Sequence, residues 1–431
     1  MNQTSKNFNK TGNMVKLGFF CALIGAVSGM VFWLFLFIVN KGTWLIWDLV
    51  PDKILNVFWY PVLACTVGGL VIGLFRKKFG DYPEEMMVVF GKLKVTKTYP
   101  YRKILIILIA AFLPLIFGSS VGPEAGMVGV IVALCCWAGD NLKFAGSQSE
   151  YYSRVGAAVS LSVLFRSPLF GILDVAEGIE DDPEETSGQQ EGRIPISRPM
   201  KMILYCIAIG AGFGTNWLLN HFLVKVSSGF PSFDSISLRK EDCFLFLLYL
   251  ICGILLGLFF ELSEKLFKKI GEKIPAVLSE VIAGLVLGVI TCFLPVIRFS
   301  GEEQMGILIS DFAKYAPLAM IGIAFLKIVV TNLCIRLGLK GGHFFPLIFS
   351  AVCLGYGLSL LFFPGDGSHA TFAAAIVAAG TLGVSMKKPL AVSVLLLLCF
   401  PLKSLLWIIP AAALAAFAGK LITNKKRSVL R

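Results

Sequence analysis

Long apolar runs separated by short polar segments occupy most of the chain. The run at residues 17–39 is long enough to cross a bilayer as a helix, and so are the runs at residues 200–223 and 244–262. Polar and apolar positions do not alternate in them as they would in a membrane β-barrel, and Pro and Gly recur inside the runs. The pattern predicts an all-α, polytopic integral membrane protein embedded in the lipid bilayer.

Two shorter runs, at residues 104–116 and 127–137, are joined by a glycine-rich segment. Each is shorter than the roughly 20 residues of a spanning helix, so we expect two half-length helices that meet at membrane depth. The glycines let the backbone bend, and Pro123 suits the first turn of the second helix. Because the first N–H groups of a helix attract negative charge, the segment predicts an anion site. Its candidate residues are Ser119, Ser120, Val121, Gly122, Pro123 and Glu124.

The same order of features returns in the second half of the chain. An apolar run, a glycine-rich stretch at residues 338–346 and a second, short apolar run follow one another, and Pro346 takes the place that Pro123 has in the first half. Broken helices at corresponding places in two membrane halves predict a transport site where the halves meet. We expect the first repeat at about residues 56–223 and the second at about residues 244–421.

Composition excludes a soluble domain, since 56% of the residues are hydrophobic, only 15% are charged and the mean hydropathy is +0.79. The net charge of +12 comes mostly from loops between apolar runs, which indicates membrane topology and not nucleic-acid binding. We expect a polar tail at residues 1–14, a membrane domain at residues 15–421 and a basic tail at residues 422–431. None of the 11 cysteines forms a Cys-x-x-Cys pair, so neither a metal site nor a cofactor is predicted.

Basic residues flank the first two predicted spans. Lys6, Lys10 and Lys16 precede the first, and a basic cluster at residues 76–78 follows the second. Two crossings return the chain to the side on which it began, and an excess of Lys and Arg marks that side as cytoplasmic. We therefore expect a cell-membrane protein whose N-terminus is cytoplasmic.

Two further polar residues lie within or beside the apolar runs of the second half. Lys327 either faces a transport pathway, as intramembrane lysines commonly do, or extends its side chain to the membrane interface. His343 is either a pH-sensitive element or a buried histidine whose ring nitrogens are hydrogen-bonded.

Three glycine- and proline-containing segments occur in an order that resembles the CLC chloride channel and transporter family. They cover the chain from about residue 60 to about residue 420, at residues 80–83, 122–123 and 341–346. The resemblance implies two inverted repeats of broken and re-entrant helices, and a homodimer in which each subunit has its own pore. It also implies that chloride or another small anion is held by backbone N–H groups. Beyond the first-half candidates, the pathway residues would be Gly80, Asp81, Tyr82, Gly342, His343, Phe344, Phe345 and Pro346.

The chain departs from the family pattern at the positions that would move protons. Val121 stands where the family has its gating glutamate, and Gly178 stands where exchangers of the family carry an internal glutamate. Without this pair we expect passive transport, channel-like or as a uniporter. The alternative is proton-coupled antiport in which Glu124 is the gate and Asp174 and Glu177 serve as an unconventional relay.

A hydrolase is the remaining alternative. Residues 118–122 match the Gly-x-Ser-x-Gly pattern, with Ser120 as the nucleophile. That pattern requires a strand before it and a histidine nearby, and the chain offers only His221, His343 and His369. Because the preceding run is predicted to be a helix, we expect that the protein is not an enzyme.

Overall fold

The computed structural model describes most of the chain, with several gaps. The described residues are 3–85, 88–89, 92, 99–141, 155, 159, 162–163, 198–226, 231–233, 236, 242–397 and 399–429. Asp174, Glu177 and Gly178 lie outside them. In the described part the regular elements are helices, and the β-pairing consists of a single isolated bridge.

The helices are named in chain order. They are α1 (Gln3–Trp44), α2 (Val50–Lys53), α3 (Tyr60–Phe79), α4 (Ile104–Ile116), α5 (Glu124–Asn141), α6 (Arg198–Phe222), α7 (Asp242–Gly271), α8 (Leu278–Phe293), α9 (Glu302–Asp311), α10 (Pro317–Arg336), α11 (Phe344–Phe362), α12 (Gly367–Met386), α13 (Pro389–Leu396) and α14 (Leu405–Val429). A π-helical turn at Leu45–Leu49 joins α1 to α2.

Seven helical segments of the described residues are long and apolar enough to cross a membrane, which confirms the prediction of an all-α multi-pass membrane protein. They are Val15–Lys53, Met202–Phe222, Phe244–Gly271, Pro317–Arg336, Phe344–Phe362, Gly367–Met386 and Leu402–Ile422.

The helices of the first glycine-rich segment are short, as expected: α4 has 13 residues, and the apolar part of α5 ends at Trp137. The prediction was less accurate for the second segment. There α10 and α11 have 20 and 19 residues, enough for each to span a bilayer. The short apolar run predicted after Pro346 underestimated α11, because Gly355, Gly357 and Ser359 interrupt the hydropathy without interrupting the helix.

The chain divides into two compact units. The first comprises residues 1–38, 85–108 and 127–228. In this unit α1 and α6 pack with their backbones in direct contact, because a Cβ at Gly25 would overlap the Ala208 carbonyl and a Cβ at Gly29 would overlap that of Gly212. Small residues four apart on both helices allow this close approach, which is typical of helix pairs in membranes.

The second unit comprises residues 39–84, 109–126 and 229–431. Its helices α3 and α8 also pack through glycines, since a Cβ at Gly69 would overlap the Glu280 carbonyl and a Cβ at Gly284 would overlap that of Cys65. Nearly all side chains of α11 and α12 are buried, so these two helices form the core of the unit. The residues that form the candidate site, at 76–82, 117–124, 280 and 327–346, belong to this unit.

Substituting Gly25 tests the close packing of α1 on α6. We expect Gly25→Ala to lower the free energy of unfolding by about 1–3 kcal/mol, because the added methyl group meets backbone atoms that cannot rotate away. Thermal unfolding in detergent, followed by tryptophan fluorescence, measures the effect. The matched control is Gly18→Ala on the same helix, where the new Cβ would lie 3.9 Å from the Ile207 side chain, an ordinary contact. Equal melting temperatures for the two variants would contradict the packing described.

Candidate anion site

The candidate site contains two loops, the first glycine loop (residues 117–123) and the second glycine loop (residues 337–343). Both loops begin with the same turn. Gly118 and Gly338 follow the ends of α4 and α10 with φ values of +82° and +105°, which favour glycine. In each loop the next N–H donates to the carbonyl five residues earlier, at 2.9 Å from Ser119 and 2.8 Å from Leu339. Both helices therefore end in a Schellman turn, which directs the chain back towards the next helix.

The two loops pair with each other at one residue each. The Gly122 N–H donates to the Gly342 carbonyl at 2.8 Å, and the Gly342 N–H donates to the Gly122 carbonyl at 2.7 Å. A Cβ at either glycine would overlap the carboxylate of Glu124, so both positions require a residue without a side chain. The pairing places the starts of α5 and α11 side by side.

This pairing corrects the predicted correspondence of the two halves. Helix α5 begins at Glu124 and α11 begins at Phe344, 220 residues later, and the glycines at the preceding turns are separated by the same interval. Pro123 therefore corresponds to His343 and not to Pro346. Pro123 immediately precedes α5, whereas Pro346 lies in the first turn of α11. Proline was a misleading marker because helix starts accept it at several successive positions.

Glu124 occupies the N-terminus of α11. Its side chain is 1% exposed, and its Oε1 accepts the N–H of Phe344 at 2.7 Å. The amide of Phe345 also interacts with the carboxylate, and the N-cap residue His343 supplies no side-chain cap to the helix. A carboxylate from one helix thus takes the place that an anion would take at the start of the other.

The two oxygens of the Glu124 carboxylate differ in their surroundings. The second oxygen, Oε2, is buried and has no hydrogen-bond partner among the described residues. A buried carboxyl group with an unsatisfied oxygen is costly in an apolar environment.

Buried apolar side chains lie in and beside the two glycine loops. Val121 is fully buried, and a Cβ at Gly341 would overlap its side chain. Phe344, Phe345 and Pro346 are buried as well. His343 is partly buried, and its ring lies 5.1 Å from that of Phe260 and 4.7 Å from that of Phe344, measured between centroids.

The serines of the first glycine loop are buried and do not form a catalytic arrangement. The Ser120 hydroxyl lies 3.1 Å from the hydroxyl of Thr331 on α10, and Ser119 is 1% exposed. The element before the Gly-x-Ser-x-Gly pattern is the helix α4, whereas a nucleophile elbow requires a strand there. The local structure therefore does not fit a hydrolase nucleophile.

Lys327 holds the first glycine loop from the same helix. Its side chain is fully buried, so it neither lines an open pathway nor extends to an interface. Its Nζ donates to the carbonyls of Ile297 at 2.8 Å and Phe299 at 2.7 Å, and the Phe299 N–H donates to the Gly118 carbonyl at 3.2 Å. Lys327 and Thr331, one turn apart, thus both position this loop. The i, i+4 spacing of two polar residues on an apolar helix was the signal in the sequence.

The predicted residues at the end of α3 connect to the second glycine loop through charges. Asp81 pairs with Arg76 of α3 and with Lys340 of the loop, and Arg76 also pairs with the buried Glu280 of α8. Partial burial alone would raise the pKa of Asp81, but the Lys340 ammonium and the Arg76 guanidinium together lower it below its ordinary value. Its carboxylate therefore stays charged at neutral pH. Arg76 was predicted only as part of the basic cluster at residues 76–78, and Glu280 was not predicted, because these two partners are 204 residues apart in the sequence.

Gly80 and Tyr82 flank this ionic cluster. Gly80 ends α3 with a φ of +103°, and Tyr82 is partly buried beside it. The structure thus brings Val121, Gly122, Glu124, Gly342 and Phe344 together and ties Asp81 to the same pair of loops through Lys340.

Comparisons with known proteins give the same fold. A family model described as voltage gated chloride channel matches residues 68–420. A solved structure of a slow cyanobacterial Cl−/H+ antiporter superposes with a TM-score of 0.73 at 17% identity, covering 92% of this chain and 93% of that one. A CLC-type fluoride/proton antiporter gives 0.71 at 21% identity, covering 94% and 95%, and a eukaryotic CLC transporter gives 0.68 at 17% identity, covering 94% and 72%. No curated protein sequence matches.

Removing the Thr331 hydroxyl tests how the first glycine loop is positioned. We expect Thr331→Val to leave the buried Ser120 hydroxyl without this partner, to lower stability by about 1–2 kcal/mol and to slow chloride efflux from liposomes at least about twofold. The control is Thr371→Val, since Thr371 is equally buried but donates to the Gly367 carbonyl of its own helix at 2.9 Å. If both variants transport at the rate of the unmodified protein, the hydroxyl pair does not position the loop.

Proposed function

The chain belongs to the voltage gated chloride channel family, and from that membership we propose that it moves chloride or a related small anion passively, as a channel or a uniporter. The pathway runs past the paired glycine loops. Transport leaves the anion chemically unchanged, so this function requires no catalytic residue.

The contact between Glu124 and the Phe344 N–H supports this site above all other observations. Backbone N–H groups at a helix start bind anions through their partial positive charge, and a carboxylate is itself such an anion. Glu124 and a transported anion therefore compete for the same donors. We infer that Glu124 closes the pathway at rest and must leave before an anion can bind.

Two positions without a titratable side chain, Val121 and Gly178, favour passive transport. Proton coupling needs titratable groups that pass the proton on in steps. Val121, where the family has its gating glutamate, cannot carry a proton, and Gly178, at the place of the internal glutamate, cannot do so either.

Proton-coupled antiport is the second candidate, and the position of Glu124 itself favours it. A buried carboxyl group that leaves the α11 N-terminus can take up a proton as the anion replaces it. Asp174 and Glu177 would then be the groups that pass this proton on.

The same family membership supports a proposal for the oligomeric state, the membrane and the topology of the protein. We propose a homodimer in the cell membrane with a cytoplasmic N-terminus, on the basis of the resemblance and of the basic residues that flank the first two spans. Native mass spectrometry would measure the subunit number, and a monomer would exclude the dimer. A cysteine introduced into residues 1–14 and labelled with a membrane-impermeant reagent would locate the N-terminus.

The test of passive transport is the efflux of chloride from liposomes that contain the purified protein, recorded together with external pH. With a potassium ionophore to set the voltage, we expect chloride to leave without proton movement against its gradient, because Val121 and Gly178 cannot carry a proton where exchangers of the family have glutamates. Empty liposomes are the control. Chloride-driven proton uptake would replace passive transport with the antiport mechanism, and the absence of any anion flux would contradict both.

Neutralising Glu124 tests its role as the gate. Glu124→Gln keeps an oxygen that can accept from the Phe344 N–H but removes the charge, which weakens its competition with the anion. We expect chloride efflux to rise about fivefold or more at neutral pH. Efflux through the unmodified protein should rise as the pH falls from about 8 to about 5, because protonation removes the charge of Glu124, and the variant should lack this rise.

The control for this variant is Glu303→Gln, which removes an exposed carboxylate from the first turn of α9. It should leave both the rate and the pH profile unchanged. If Glu124→Gln gives the same profile as the unmodified protein, Glu124 does not gate the pathway.

A further inference from the structure

Asp81 is held in the way that a protein holds a bound anion. Its Oδ1 accepts from the Nε of Arg76 at 2.8 Å and also from the Nη2 of the same guanidinium, while its Oδ2 accepts from the Nζ of Lys340. Both carboxylate oxygens are thus occupied by charged donors from two different elements, α3 and the second glycine loop. Such charge-assisted contacts are the usual means of binding a small anion.

The two cations are built into the structure, whereas the carboxylate is on the outside. The side chains of Arg76 and Lys340 are 18% and 21% exposed, compared with 60% for Asp81. A Cβ at Gly338 would overlap the guanidinium of Arg76 and the carboxylate of Glu280, so the turn glycine leaves the space in which this buried pair sits. Arg76 is therefore fixed by Glu280 even when Asp81 turns away into solvent.

The charges around this point balance only while Asp81 is in place. Arg76 and Lys340 carry two positive charges, and Asp81 and Glu280 carry two negative ones. When Asp81 leaves, Arg76 still pairs with Glu280, but the charge of Lys340 is uncompensated. Lys340 lies two residues before Gly342, which pairs with Gly122 of the first glycine loop. An excess positive charge beside a low-dielectric pathway raises the local concentration of anions.

We propose that Arg76 and Lys340 form a further anion-binding site beside the glycine loops, and that the carboxylate of Asp81 is its tethered competitor. The ligand is a small inorganic anion of the kind transported, so the inference rests on the proposed function for its role in transport. Anion binding at this site requires Asp81 to swing out, which lowers the apparent affinity of the pair in the intact protein.

The experiment measures chloride binding to the purified full-length protein by isothermal titration calorimetry, so that its outcome does not depend on transport. We expect Asp81→Asn to lower the dissociation constant for chloride about two- to fivefold, because the neutral amide competes less well for the two cations. The half-saturating chloride concentration for efflux from liposomes should fall by a similar factor. In the double variant Asp81→Asn with Lys340→Gln this gain should be lost.

The matched control is Asp311→Asn, which removes another exposed carboxylate that pairs with a lysine, Lys314, at 2.6 Å. It should leave the dissociation constant unchanged. Asp81→Ser is measured alongside, so that a folding defect of one variant does not decide the result. If both folded Asp81 variants bind chloride as the unmodified protein does, or more weakly, Asp81 only fastens the loop and the proposed site is overturned. Tighter binding without any anion flux would support the site and contradict the proposed transport function.

Discussion

The reciprocal hydrogen bonds between Gly122 and Gly342 are the contact on which the candidate site depends. They join two loops that are far apart in sequence through one pair of backbone hydrogen bonds, and they place the N-termini of α5 and α11 next to each other. From this arrangement follows the contact of Glu124 with the α11 amides, because a carboxylate at the start of one helix then reaches the start of the other. The Schellman turns at Gly118 and Gly338 supply the direction in which each loop leaves its helix.

Polar side chains on buried helices keep this pairing in place. Lys327 and Thr331 on α10 hold the first glycine loop, Lys327 through the carbonyl of Phe299 and Thr331 through the hydroxyl of Ser120. Arg76 is connected to the second glycine loop through Asp81, which also pairs with Lys340. In an apolar medium each such contact is strong because the alternative is an unsatisfied polar group. These contacts hold the two loops next to the buried carboxylate of Glu124.

Much of the fold could be predicted from the sequence, because the lengths of apolar runs indicate membrane spans. The segments at residues 80–83, 122–123 and 341–346 also resemble those of the CLC family, and the family match over residues 68–420 confirms that membership. The register of the two halves could not be predicted, since it is fixed by hydrogen bonds between glycines and not by the prolines that are visible in the sequence. The partners of Glu124 and Asp81 were missed for a similar reason. Phe344 and Lys340 are more than 200 residues away along the chain, and no local pattern indicates such a distance.

The separation of the paired glycines also determines when the site can exist during biosynthesis. Gly122 is synthesised long before Gly342. Its N–H and carbonyl groups therefore lack their partners on Gly342 until most of the second unit has been inserted. Closing so long a loop costs entropy that only the packing of the later helices, α11 and α12 above all, can offset. The candidate site is therefore one of the last parts of the molecule to form, and a prematurely terminated chain that ends with α10 contains only the first of its two loops and the residues that hold that loop.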